Sequence, residues 1–388
     1  MEKDKKNTHD EVMTAEAYEQ NFMNMIWLLS CLVRGEKPDK ERCENLDLTA
    51  ICRLSALHGL DAVTAEAVER AEVENELFHR RKAYAIKKAM LYDAERQRIL
   101  QEFEKEGIWH VLLKGVVLKE FYPGYGLRQM TDNDLLIDES REEDVKAIME
   151  RLGYHTDEYG SGYHDVYHKE PVYSFEMHVR LFARFHKKNL FEYYQEIPKR
   201  LIKDEDNAYG YHLLPEDFYL YMIAHEYKHY SREGVGLRAM LDTYLFLKHH
   251  QLDMDYVCAE AEKLDIAEFE RDNRELSLHL FDGLALSEKE QEMLNYVMHS
   301  THAGSVDNMV NNKCKEEGWT ATDYSLHRFF VPFRKTDPRY PLFERHYPFF
   351  YKHKILLPLL PFYRIFLSIR GGRFTTEAKA IKKYGEGK

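Results

Sequence analysis

Asp132 and Asp134 stand two residues apart in TDNDLLID. On a strand, alternation puts both carboxylates on one face. Two hard oxygen ligands so close together suit Mg²⁺ or Mn²⁺, with nucleotide phosphates completing the coordination shell. Upstream, LLKG ends a short apolar run at Lys114-Gly115. A glycine there lets the backbone approach a phosphate, a following helix N-terminus favours an anion, and Lys114 adds a point charge. Arg128 lies four residues before the first aspartate and offers a guanidinium to phosphates or to the aspartates themselves. Downstream, SFEMHV reads as another strand, with Ser174, Glu176 and His178 on one face. A third carboxylate beside the pair serves a two-metal site or acts as base for an attacking hydroxyl.

A second pattern competes with this one. HEYKH, His225 to His229, has the H-E-x-x-H letters of a zinc peptidase, with two histidines on one helix face and Glu226 as base. The longer form with a third histidine fails, because positions 232 and 235 are Arg and Val. Glu233, Asp242 and His249 are alternative third ligands, none in a recognisable pattern. With 20 histidines in 388 residues, roughly 0.1 such matches arise by chance in a chain of this make-up. His225 and His229 are then either structural or, with Lys228, face a substrate cleft. Arg238 and Asp242, at i and i+4, read most simply as a helix-face ion pair.

The surrounding elements follow from periodicity. From Thr14 to Gly107 apolar residues recur at helical spacing, and Gly107 is a stop. IWHVLLKG, TDNDLLID, YHDVYHKE and VYSFEMHVRLF read as strands, the last two parted by Pro171. VVLKEFY is one or two helical turns, YPGYG a turn, and SREEDVKAIMERLGY a helix opened by a Ser140/Glu143 capping box and closed at Gly153. After Phe185 the chain is helical again, with Pro215 placed to start a helix. These elements predict an α+β chain in four parts: an N-terminal helical region (1–105), an α/β core (106–185), a helical domain (186–320) and a C-terminal extension (321–388).

Composition narrows the class. A hydrophobic content of 44% is globular. MEKDKKNTHDE has no apolar run of signal-peptide type, and ILLPLLPFYRIFLSI is too short to span a bilayer and is broken by Pro358, Pro361 and Arg364, so no transmembrane segment is expected. Five scattered cysteines without a C-x-x-C pair predict buried thiols in a reducing cytoplasm. The net charge of −12 hides an asymmetry. Residues 321–388 carry 14 Lys+Arg against 5 Asp+Glu, so the remainder stands at −21. An acidic body disfavours a long nucleic-acid contact. The basic, aromatic tail, 325–373 above all, either wraps that body, the simpler reading, or touches a membrane surface or partner.

The order LLKG, short helix, GLRQM, TDNDLLID and FEMHV resembles uncharacterised bacterial nucleotidyltransferase-family proteins of the polymerase-beta-like superfamily. It is similar, more distantly, to nucleotidyltransferase toxins of abortive-infection systems. The motif-level resemblance covers about residues 108–182, and a weaker one runs on through LPEDFYLYMIAHEYKH and GLRAMLDTYLFL. It implies a small mixed-sheet core with flanking helices and Mg²⁺-dependent transfer of a nucleoside monophosphate from an NTP such as ATP. The acceptor is open: a small molecule, a protein side chain or an RNA end. It also implies Asp132, Asp134 and Glu176 as metal ligands and catalytic carboxylates, Lys114 and Gly115 as the phosphate turn, and Arg128 as a phosphate or organising contact. The wider superfamily usually has Gly-Ser where this chain has Lys114-Gly115-Val116. Asn133 stands where an apolar residue is usual, which implies a less buried strand face. Three readings remain: a nucleotidyltransferase, a non-catalytic nucleotide-binding or scaffold protein on the same fold, and a zinc peptidase.

Overall fold

A computed structural model describes residues 13–160, 163–183, 187–302, 304–337, 339–371 and 373–386. The charged N-terminal stretch, residues 1–12, lies outside them, as does Phe185, where the return to helix was expected.

The centre is a seven-stranded mixed sheet: β1 His110–Leu112, β2 Asn133–Ile137, β3 His155–Glu158, β4 His164–Lys169, β5 Tyr173–His178, β6 Ile202–Lys203 and β7 Gly210–His212. Their order is β3-β4-β5-β2-β1-β7-β6. The pairs β2–β5 and β1–β7 are parallel and the rest antiparallel. β2 is buried along its whole length, as its run of NDLLI requires of a central strand. The sheet therefore draws β6 and β7 from beyond residue 185, past the range read as the α/β core. Neither strand has an apolar alternation that betrays it. β3, at HTDE, is equally silent in sequence.

Helices pack on the sheet. Glu76–Glu106, 31 residues, starts on the Asn75 side chain and stops at Gly107, whose φ of 68° only glycine adopts cheaply. Its Tyr92, Ile99 and Phe103 meet Leu135, Ile137, Phe175 and Met177 of the sheet in one cluster. The Tyr92 hydroxyl donates to the carbonyls of Thr131 and Val172, 3.0 and 2.7 Å, and so pins the entries to β2 and β5. Pro215–Tyr230 begins at its proline as expected. Ser140 is not a helix cap: Asp138 accepts from its N–H, a 3-10 turn follows, and the helix runs Glu142–Arg151. A carboxylate two residues upstream wins the capping position from the hydroxyl.

The main core is continuous from Phe22 to Met298 and joins the N-terminal helices, β1, β2 and the helices after the sheet. Two small clusters close off the C-terminal part, one around Val310, Cys314, Tyr324 and Ala380, the other around Val331, Tyr340, Phe343, Tyr351, Leu357 and Leu360. Four cysteines are buried, and Cys258 is exposed, contrary to expectation. Asn133 is also a correction: it is fully buried and accepts from Arg96 Nη1 at 2.8 Å.

Candidate active site

β1 delivers the chain to Lys114 and β2 returns beside it, with the Leu113 N–H donating to Asp134 O at 3.1 Å. Lys114 has φ 44°, ψ −119°, an unusual backbone for a residue with a Cβ. The helix that follows, Gly115–Leu118, is only four residues long and continues as a 3-10 turn. The anion-binding dipole expected there is correspondingly small. Gly115 has a different use: a Cβ would collide with Arg128 Nη1 and come within 3.0 Å of Met130 Cγ.

Asp134 and Glu176 are register partners on the parallel strands β2 and β5. His178, two residues on, turns Nε2 to both, 3.0 Å from Asp134 Oδ1 and 3.4 Å from Glu176 Oε2. These three offer donor atoms within 4.8 Å of one another. Lys114 Nζ is 2.5 Å from the same Asp134 Oδ1. Burial pushes the Asp134 carboxyl up, but Lys114 and His178 outweigh it and hold it well below the carboxylate range. At Glu176 burial is again the largest influence and raises the carboxyl, but the His178 bond and the charges of Lys114 and His178 together lower it. Asp132 falls one residue short of β2 and stands outside that three-donor group. Burial, and then the charges of Asp134 and Glu176, push it up to about 7. Three carboxylates that raise one another's cost of ionisation are the arrangement a divalent cation relieves. The donor set fits such an ion.

The carboxylates open into a cavity of about 480 Å³. Its other walls include His225, Lys228 and His229 from Pro215–Tyr230 and Arg238 from the helix Leu237–His249. Burial, and then Lys114, bring the Lys228 ammonium down to about 7, and its nearest polar partner is the Tyr163 hydroxyl at 3.3 Å. His225 and His229 face each other, Nε2 to Nε2 at 3.3 Å, and His229 Nδ1 meets Glu233 at 2.7 Å. Burial keeps both imidazoles neutral. A smaller cavity of about 190 Å³ adjoins across Gln129–Thr131, with Arg81, Tyr84, Lys88 and Tyr92 on its walls.

Of the expected site residues, Lys114, Gly115, Arg128, Asp132, Asp134, Glu176, His225, Lys228 and His229 line the larger cavity. His178 does not: it is 1% exposed and sits behind the carboxylates, so the substrate-contact reading gives way to one of carboxylate partner or metal ligand. Arg128 touches neither aspartate of the pair. Asp242 accepts from its Nε and Nη2 at 2.9 and 2.7 Å. The expected Arg238–Asp242 helix pair therefore does not form. Arg238 instead donates to Gln129 O at 3.1 Å, and no carboxylate among the described residues lies within ion-pair distance of it. Arg238, Tyr163 and the organising role of Asp242 were missed. In sequence Asp242 stands out only as a third-ligand candidate beside HEYKH and, with Arg238, by i, i+4 spacing, and neither signal points to Arg128.

HEYKH does not make a peptidase centre. Glu226 is buried and accepts from Asn273 Nδ2 at 2.7 Å. Burial, and then Asp242, push its carboxyl well above the usual carboxylate range, and its described hydrogen-bond partner is Asn273, not a ligand of a metal centre. The three proposed third ligands are all engaged elsewhere: Glu233 on the far nitrogen of His229, Asp242 on Arg128, and His249 on the Leu245 carbonyl at 2.8 Å.

A family model described as uncharacterised nucleotidyltransferase matches residues 44–282, more than half of the chain. The chain belongs to this nucleotidyltransferase family. The match takes in the whole sheet and every wall residue named above, Lys114, Asp132, Asp134, Glu176, Lys228 and Arg238 among them. Neither a curated protein nor a solved structure matches the chain. Residues 283–388 lie beyond the nucleotidyltransferase match. No single helix among the described residues is long and apolar enough to cross a membrane.

Proposed function

We propose that the cavity transfers a nucleoside monophosphate from an NTP to an acceptor hydroxyl. The observation that carries this reading is the register pairing of Asp134 with Glu176 beside Asp132, inside a segment of nucleotidyltransferase type. Asp132, Asp134 and Glu176, with His178 at their back, would hold a divalent metal, Mg²⁺ or Mn²⁺. When bound, that ion would neutralise phosphate charge and polarise the α-phosphate. Lys228 and Arg238, which face the cavity without a carboxylate partner among the described residues, receive the β- and γ-phosphates. Glu176, held ionised, takes the proton of the acceptor hydroxyl. The acceptor oxygen bonds to the α-phosphorus as the bond to the bridging oxygen breaks, and pyrophosphate leaves against the two cations. His225 and His229, neutral, offer hydrogen bonds to substrate without adding charge.

The test is incubation with each α-labelled NTP and Mg²⁺, with and without cell extract, for wild type, Asp134→Asn and Glu176→Gln. Label transferred by wild type and lost by roughly 10³-fold or more in the variants is expected for removed transition-state contacts. Equal transfer by Asp134→Asn sinks the assignment. One contact favours a second reading, in which nucleotide binds without turnover. Lys114 Nζ sits on Asp134 where a metal would sit. Saturable nucleotide binding with no transfer to any extract fraction supports it.

A further inference from the structure

We propose that the segment Lys354–Arg370 docks on an anionic lipid surface. It lies outside the family match, so this goes beyond the nucleotidyl-transfer reading and does not rest on it. The segment is a 3-10 helix, Lys354–Leu359, running into the α-helix Leu360–Arg370. One side faces inward. Leu357 and Leu360 join the small cluster with Phe343 and Tyr351, and Arg364 donates to Arg328 O at 2.8 Å with its guanidinium 4.5 Å above the Phe343 ring. The opposite side carries Ile355, Leu359, Phe362, Phe366 and Ile369, spaced 4, 3, 4 and 3. All are more than half exposed, Ile355 at 89% and Phe362 at 68%. The expectation that the tail wraps the acidic body leaves this stripe unaccounted for.

Charge selects the occupant. From Arg345 to Thr376 there are six Lys+Arg and no Asp or Glu. Lys352 and Lys354 stand exposed at one end of the stripe and Arg370 at the other. An apolar face of Phe, Leu and Ile edged by cations, too short to span, is the composition of a segment lying in a lipid interface. Anionic headgroups answer the cations, and the acyl boundary takes the rings. The body, at −21 outside residues 321–388, is repelled by the same surface and so is held facing away from it.

The experiment is co-sedimentation of the full-length protein with vesicles of phosphatidylcholine alone and of phosphatidylcholine with phosphatidylserine. Binding to the anionic vesicles, weakened by salt and reduced roughly ten-fold or more in Phe362→Asp/Phe366→Asp, is expected from the lost apolar contact. No binding to anionic vesicles, or binding unchanged in the double variant, overturns the proposal. So does a wild-type dimer by light scattering that the double variant dissolves without any vesicle binding, since a second copy is then what covers the stripe. Should the double variant fail to fold, Phe366→Trp decides: its added emission is quenched by brominated lipid if the stripe is inserted, and unaffected if it is not.

Discussion

Arg128 and Asp242, 114 positions apart in sequence, form a two-pronged ion pair that is closed to solvent on both sides. The Tyr122 hydroxyl adds a third bond to Asp242 Oδ1 at 2.8 Å. This joins the segment leading into β2 to the helix Leu237–His249, and so fixes the distance between the carboxylate wall and the Arg238 wall of the cavity.

Breaking that pair from one side leaves a buried charge without compensation. Asp242→Ala is expected to destabilise the fold by about 3–5 kcal/mol, while Arg128→Met/Asp242→Leu costs much less. Denaturant midpoints of the single and double variants check this. A double variant as unstable as the single would mean that the pair is not what matters.

Gly115→Ala asks for space that Arg128 occupies, and Asp242 prevents Arg128 from moving aside. A loss of about 1–3 kcal/mol is expected, although alanine favours a helix over glycine. In an Arg128→Met background the loss should shrink, a coupling read by a double-mutant cycle.

Divalent metal should raise the melting temperature of the wild-type protein with a midpoint set by its affinity. Asp134→Asn and Glu176→Gln should abolish the rise, and a chelator should reverse it. A shift that persists in both variants places the ion elsewhere.

His58 provides a pH handle away from the carboxylates. Its Nδ1 accepts from the Leu237 N–H at 3.1 Å, so it must stay neutral in the folded chain. Burial, and then nearby His302, lower its pKa from 6.5 to about 4. The unfolded chain therefore takes up a proton below pH 6.5 that the folded chain refuses, and stability falls as pH drops from there towards 4. The full loss is about 3 kcal/mol. In His58→Gln the difference from wild type should narrow over that interval in denaturant titrations at stepped pH.

The parts of this protein legible in sequence are those with local signatures. Asp134 and Glu176 each sat on a strand with period two, and Gly107, Thr14 and Pro215 marked helix ends by their own chemistry. What stayed hidden is non-local. Nothing near Arg128 reveals that its carboxylate lies on a helix more than a hundred residues away. β6 and β7 are too short for periodicity to show. HEYKH misleads for a related reason: letters give spacing along a helix, while the surroundings decide that Glu226 meets Asn273 rather than the histidines.

The continuous core from Phe22 to Met298, beside separate small clusters further on, means that cutting the chain has different consequences at different places. A fragment holding only the sheet would tear the core open, so the candidate-site carboxylates stay in place only together with helices on both sides of them. The last eighty or so residues carry their own interior. Their removal would therefore leave the interior around the cavity whole.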